Sequence, residues 1–181
     1  MSWTYEPTPI NEAVATAVGF LRQAPYLGRP ELNRNYAEGD IWEAWQHEVT
    51  TLAEVAWAGM MGNPNFIPSY NTHKREPDYG QWEVRYNFSK EGSSPGLRFS
   101  EGVDSPEAPY VLLVGGPERK LRRSAETGYM TPAFTALGWM WGHECMRPEF
   151  ETMYSTNPQR RKFLVPHTSL RSMDEIVVPE Q

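Results

Sequence analysis

The chain has 181 residues, a formal net charge of −6 and 39% hydrophobic residues. This size and composition favour one soluble globular domain, residues 1–181, and no run approaches the ~20 apolar residues that a membrane span requires. The acidic balance argues against a generic nucleic-acid coat protein but permits an enzyme with a local basic face. One cysteine, Cys145, and a first segment without a basic region followed by an apolar one predict a cytoplasmic protein without a secretion signal.

The first predicted element is a helix over residues 9–22. Thr8 can cap it, and Pro9 suits the first helical position. Apolar residues recur at helical spacing and predict one buried face. That face would consist of Ile10, Val14, Ala17, Val18 and Leu21.

A longer helix is predicted over residues 41–61, with Asp40 as its cap and Gly62 at its end. Its second half is apolar nearly all round, which is typical of a helix buried on most sides. Glu54 is the only ionisable residue between positions 52 and 61. A lone carboxylate in such surroundings is costly unless it has a partner.

The middle of the chain predicts a β-hairpin. An extended stretch over 66–71 is followed by a turn signal at 76–80 and then by a strand over 81–88. In that strand, apolar and polar residues alternate, so one face should be buried and the other should carry the charges. The apolar face would consist of Trp82, Val84, Tyr86 and Phe88.

Three further strands are predicted, over 97–99, 110–114 and 134–141. The run at 110–114 is continuously apolar, as expected of a strand buried on both faces. After residue 148 the chain is polar and punctuated by proline, so residues 148–181 should wrap the core, with a short helix near 169–176. The order of elements predicts one α/β (α+β) domain with its core over about 41–145.

Three side chains around the predicted turn point to metal chemistry. Glu83 and Arg85 are two residues apart on a strand and therefore project to the same side. Asp78, at the start of the hairpin, can reach the same edge. Two carboxylates and a carbonyl are the hard oxygen ligands that Mg²⁺ prefers. A cation held there can bind a phosphate oxygen or orient an attacking water.

At these positions the sequence resembles the PD-(D/E)XK nuclease superfamily, whose fold is called restriction-endonuclease-like. In that superfamily a helix glutamate precedes a hairpin that carries Asp and then Glu-x-Lys. The matching residues here are Glu54, Pro77-Asp78 and Glu83-Val84-Arg85, and the order of elements agrees over residues 41–141. The match is to compact single-domain forms found in bacteria and their phages.

The resemblance implies a central mixed β-sheet flanked by helices and a Mg²⁺-dependent (or Mn²⁺-dependent) nuclease that hydrolyses phosphodiester bonds of DNA. Asp78 and Glu83 would be the metal ligands, and Glu54 would support the metal or its water. Arg85 stands where the superfamily has lysine. Because arginine stays protonated, it cannot act as a general base, but it can stabilise charge on the phosphate.

Other interpretations stay open from the sequence. The chain can be a catalytically inactive nuclease-fold protein that serves as a phage assembly or accessory component, or an unrelated binding module. Glu54 can be a buried carboxylate paired with Arg85 or a tryptophan N–H, and Asp78 can be only a turn residue. Glu83 and Arg85 can belong to a solvated sheet face.

Basic clusters suggest where a nucleic acid would bind. Clustered cations contact phosphates, although charge clusters in loops are often only solvated surface. The predicted partners are DNA, preferred to RNA, and a second copy of the chain or an assembly partner, with no membrane. The candidate phosphate contacts are Lys74, Arg75, Arg119, Lys120, Arg122 and Arg123.

Overall fold

The computed structural model describes residues 3–24, 40–70, 76–87, 94–115, 133–152 and 161–176, with the backbone alone over 40–46. These residues form a mixed arrangement of helices and two sheets, so the predicted α+β class is confirmed. The helices are α1 (Pro9–Gln23), α2 (Asp40–Met60) and the short α3 (Gly142–Cys145). The strands are β1 (Thr4–Tyr5), β2 (Glu83–Asn87), β3 (Gly96–Ser100), β4 (Pro109–Gly115), β5 (Phe134–Trp141), β6 (Glu151–Thr152) and β7 (Lys162–Pro166).

The larger sheet is mixed and has the strand order β1-β5-β4-β2. β4 pairs with β2 in parallel and with β5 in antiparallel orientation, so β4 is central and β2 lies at the end of the described sheet. The predicted burial of β4 on both faces is confirmed, because the four side chains from Tyr110 to Leu113 are fully buried.

Alternate residues of β4 contact different layers. Val111 and Leu113 pack in the apolar cluster that includes α2, whereas Tyr110 and Leu112 pack in a cluster that includes β3 and β7. Long helices therefore cover one face of the larger sheet in the described part of the chain. A second sheet, in the order β3-β7-β6, covers the other face.

α1 begins where the sequence predicts, but the face that it buries is rotated away from the predicted one. Thr8 caps the helix through the backbone N–H of Asn11. Val18 is buried as predicted, but Ile10 is 74% exposed and Leu21 is 49% exposed, so most of the predicted apolar face is wrong. Gly19 allows the close contact with α2, since a Cβ there would lie 2.7 Å from the Glu48 Cα. The residues that α1 buries are Asn11, Glu12, Ala15, Val18, Gly19, Arg22 and Gln23.

The predicted hairpin is also different. Residues 66–70 form no strand, and positions 71 and 88 lie outside the described residues. A tight turn replaces the first arm: the backbones of Tyr79 and Trp82 exchange hydrogen bonds of 3.1 and 2.8 Å. Gly80 makes this turn with a φ of +60°, which favours glycine. β2 starts directly after the turn, with Trp82 and Val84 buried against α2 as predicted.

Candidate functional site

Asp78 lies immediately before the tight turn, and its carboxylate is held in place. Its Oδ2 accepts a hydrogen bond of 2.8 Å from the backbone N–H of Val84, across the turn. This contact ties the carboxylate to the first residues of β2.

Glu83 and Arg85 lie on the face of β2 opposite to Trp82 and Val84. The Arg85 guanidinium donates to Asp104 at 2.7 Å and to Glu83 at 3.3 Å. It also lies over the Tyr110 ring, 4.8 Å from its centroid. The Arg85 and Glu83 side chains are 27% and 21% exposed, so this face of β2 is in partial contact with water. Asp104, at a turn after β3, had no sequence signal that linked it to Arg85.

Glu54 is a buried carboxylate with a partner, and that partner is Arg22 at the end of α1. Its two oxygens accept hydrogen bonds of 2.6 and 2.8 Å from the Arg22 guanidinium. Arg22 also donates to the Thr51 hydroxyl and to the Ser69 carbonyl. Both Arg22 and Glu54 are buried, with 8% and 5% of their surfaces exposed. The proposed partners, Arg85 and a tryptophan N–H, are therefore wrong.

The three carboxyl groups of the predicted site influence one another. The pKa of Glu54 is raised to about 7. Burial is the main cause, and the charges on Asp78 and Glu83 add to it, whereas the Arg22 hydrogen bonds act in the opposite direction. Burial also raises the pKa of Glu83, and repulsion from Asp78 adds to that effect. The structure therefore brings Glu54, Asp78 and Glu83 within electrostatic reach of one another.

The charges of two arginines, Arg85 and Arg22, act on Asp78. Burial raises the pKa of Asp78, whereas the Val84 N–H and the charges of Arg85 and Arg22 lower it, with burial dominant. For Arg85, burial lowers the pKa but the charges of Asp104 and Glu83 raise it above its usual value. Both guanidinium groups are thus already engaged, and the acidic side chains outnumber them.

Asp78 and Glu83 have the donor chemistry that a divalent cation needs. Within the described residues, Asp78 Oδ1 and Glu83 Oε1 accept no hydrogen bond. Mg²⁺ usually keeps several waters and takes one or two carboxylates, so these two side chains are of the ligand type that the ion accepts. No group of three or more acidic, histidine or cysteine side chains suited to a metal ion occurs in the described ranges. Among the described residues, an ion here would take its protein ligands from the Asp78–Glu83 pair.

The predicted phosphate contacts lie outside the described residues. Lys74 and Arg75 fall in the gap between residues 70 and 76. The gap between residues 115 and 133 contains Arg119, Lys120, Arg122 and Arg123.

None of the described helices combines the length and the apolar character that crossing a bilayer requires. No protein-family model matches the chain, and no curated protein or solved structure matches it either.

Proposed function

We propose that this chain is a Mg²⁺-dependent nuclease-type protein, of restriction-endonuclease-like fold, that hydrolyses phosphodiester bonds of DNA. The observation that carries the proposal is the carboxylate pair at the start of β2. The Val84 N–H holds Asp78 within electrostatic reach of Glu83, and each carboxylate keeps one oxygen free of hydrogen bonds within the described residues. Mn²⁺ has the same ligand preference and would serve as a substitute.

The roles of the side chains follow from their contacts. Asp78 and Glu83 would hold the ion, and Lewis-acid stabilisation of phosphoryl charge is the chemistry that Mg²⁺ supplies when bound there. Arg85, next to Glu83, would add a positive charge near the phosphate. Both oxygens of Glu54 are engaged by Arg22, so Glu54 would act as a positioning residue through its charge.

A second candidate is a non-enzymatic nuclease-fold protein with an assembly or accessory role. The observation that favours it is that both arginines near the carboxylates are already engaged in hydrogen bonds. Arg85 is shared between Glu83 and Asp104, and Arg22 is saturated by Glu54, Thr51 and Ser69. In this case the carboxylates and arginines would form a structural network, and the protein would act by binding alone.

Cleavage of single-stranded and duplex DNA and of RNA, with Mg²⁺ or Mn²⁺, tests the proposal. We expect the wild type to cleave DNA and Asp78→Asn to lose about 10²-fold or more, on the scale of losing one preorganised charged group. Asp174→Asn, on an exposed turn, is the matched control and should keep full activity. An Asp78→Asn protein as active as the wild type would contradict the metal site.

Arg85 variants separate the two candidates. If the site is catalytic, Arg85→Lys should retain cleavage because it keeps the charge, and Arg85→Ala should lose about 10²-fold per folded molecule. A denaturation curve for each variant corrects for folding, since within the described residues Arg85→Ala leaves Asp104 with only its hydrogen bond from the Ser100 N–H. A folded wild type that cleaves nothing with either metal would favour the non-enzymatic candidate.

A further inference from the structure

A pocket of about 610 Å³ opens beside the tight turn that separates Asp78 from Glu83. Aromatic side chains from two parts of the chain, the tight turn and β5, line it. Trp82 and Trp139 form a nearly buried floor, at 7% and 8% exposure, and Tyr79 and Trp141 are partly buried at its sides. The size is in the range of small-molecule sites, about 300–1,000 Å³.

The rings are held in defined orientations. Trp82 and Trp139 meet edge to face, with centroids 5.6 Å apart, and Trp139 meets Trp141 in the same way at 6.0 Å. The indole N–H of Trp139 donates to the Ser172 carbonyl, so this nitrogen is satisfied outside the pocket. Arg171 lies over the Trp139 ring, with its Cζ 5.0 Å from the centroid, and His143 stacks on Trp141 with centroids 6.3 Å apart, so one face of each ring is covered. The lining of the pocket is otherwise mainly aromatic surface.

The polar groups of the pocket lie at its rim. Gln81 and Glu175 are exposed and line the opening, and among the described residues no lysine or arginine lines the pocket. A phosphate group would find no positive partner among the lining residues. A flat uncharged ring would find aromatic faces below it and an amide and a carboxylate at its edge.

We propose that this pocket binds an unpaired nucleobase, so that the substrate is single-stranded nucleic acid; the inference rests on the proposed function. Base–aromatic stacking is the usual means of binding single strands. Glutamine and glutamate side chains pair with the edges of bases. Tyr79 and Trp82 are the residues next to Asp78 and Glu83, so a base in the pocket would bring its own backbone to the carboxylate pair. A base stacked and paired in a duplex has neither its faces nor its edge available.

Binding in EDTA tests the pocket separately from cleavage. We would measure the fluorescence anisotropy of a short labelled single-stranded DNA, of the same strand in a duplex, and of an abasic oligomer of equal length and charge. We expect the single strand to bind about 10-fold or more tightly than either competitor. Trp141→Ala should weaken single-strand binding by about 5- to 100-fold, which is the range for losing one stacked base. Tyr70→Ala, which removes an exposed aromatic ring outside the pocket, should leave binding unchanged.

Gln81→Ala provides a second variant, because an exposed rim residue can be replaced without disturbing the core. It should alter the preference among oligomers of single base types while the protein stays folded. Equal binding of the single strand and the abasic oligomer would overturn the proposal, as would unchanged binding by a folded Trp141→Ala protein. If single strands bind through Trp141 but are never cleaved, the pocket stands and the proposed function fails. If DNA is cleaved without any base-dependent binding, the function stands and the pocket fails.

Discussion

Arg22 is the residue on which the buried carboxylate of α2 depends. Its guanidinium donates two hydrogen bonds to the Glu54 carboxylate and also binds the loop after α2 through the Ser69 carbonyl. Charged groups taken out of water are stable only when their hydrogen bonds are complete. The pair therefore connects α1, α2 and that loop through one guanidinium.

Removal of Arg22 should be strongly destabilising. We expect Arg22→Met to lower the free energy of unfolding by about 3–5 kcal/mol, because it leaves a buried carboxylate without its partner. A second change, Glu54→Leu, should restore much of the loss, since it removes the orphaned charge. Urea denaturation of the two variants and the wild type, above pH 7, measures both effects. A loss below about 1 kcal/mol in Arg22→Met would show that the pair is not buried as described.

Glu54 should make the stability of the protein depend on pH. Its pKa is raised from the usual 4.5 to about 7, first by burial, so the folded state holds this proton more tightly than the unfolded state. The resulting stabilisation is fully present below pH 4.5 and is lost as the pH rises through about 7. Urea denaturation across this interval should show falling stability in the wild type.

The matched variant for this effect is Glu54→Gln. Its stability should fall less over the same interval, although some slope should remain because the pKa values of Asp78 and Glu83 are also raised. A wild type whose stability increases between these pH values would contradict the assigned direction.

At the scale of elements, α1 shows that a helix can carry two faces that both look suitable for burial. The buried face contains Ala15 and Val18 together with polar residues, whereas Ile10, Phe20 and Leu21 are exposed. The buried face is the one that brings Arg22 to Glu54 and lets Gly19 approach α2. A carboxylate in the apolar part of α2 thus decides which side of α1 faces inward.

Substitutions on the two faces of α1 should have very different costs. We expect Ile10→Gln to change the free energy of unfolding by no more than about 0.5 kcal/mol, as for exposed positions generally. Val18→Gln should cost about 2 kcal/mol or more, because it buries an amide without a partner. Thermal or urea denaturation of both variants gives the comparison. Equal losses would mean that Ile10 is buried in the folded protein, contrary to its exposure in the structure.

At the scale of the whole molecule, an excess of negative charge is concentrated where β2 begins. The formal net charge of the chain is −6, and four carboxylates share two arginines around Asp78. Like charges in one place raise each other's pKa and destabilise the folded state unless a cation joins them. A divalent ion should therefore bind the folded protein better than the unfolded chain.

Addition of Mg²⁺ should raise the melting temperature, because an ion that binds only the folded state stabilises it by mass action. The expected shift is a few degrees at saturating ion, and Asp78→Asn should abolish it. Thermal denaturation with Mg²⁺, and with Na⁺ at equal ionic strength, separates site binding from general screening. The control Asp174→Asn should respond like the wild type. An equal rise in Asp78→Asn would exclude Asp78 as a ligand.

Local patterns in the sequence were sufficient for the elements whose burial is uniform or strictly alternating. The continuous apolar run of β4, the eight residues of β5 and the alternation around Val84 correspond closely to the observed strands. The predicted capping by Thr8 and the predicted burial of the second half of α2 on most sides are confirmed for the same reason. In each case the residues that determine the structure are close neighbours in the chain.

The tertiary structure alone decided which charged groups meet. Arg22 and Glu54 are 32 residues apart, and Arg85 and Asp104 are 19 residues apart, so no local spacing predicts either pair. The second sheet depends on pairing between β3 and β7, which lies late in a polar segment of the chain. The apolar residues of these two strands pack in one cluster. Glu54, Asp78 and Glu83 were predicted as a group, but their partners and raised pKa values depend on burial between layers. Burial is a property of the packed molecule. The sequence around a carboxylate does not show whether the folded protein leaves it hydrated or pairs it with an arginine.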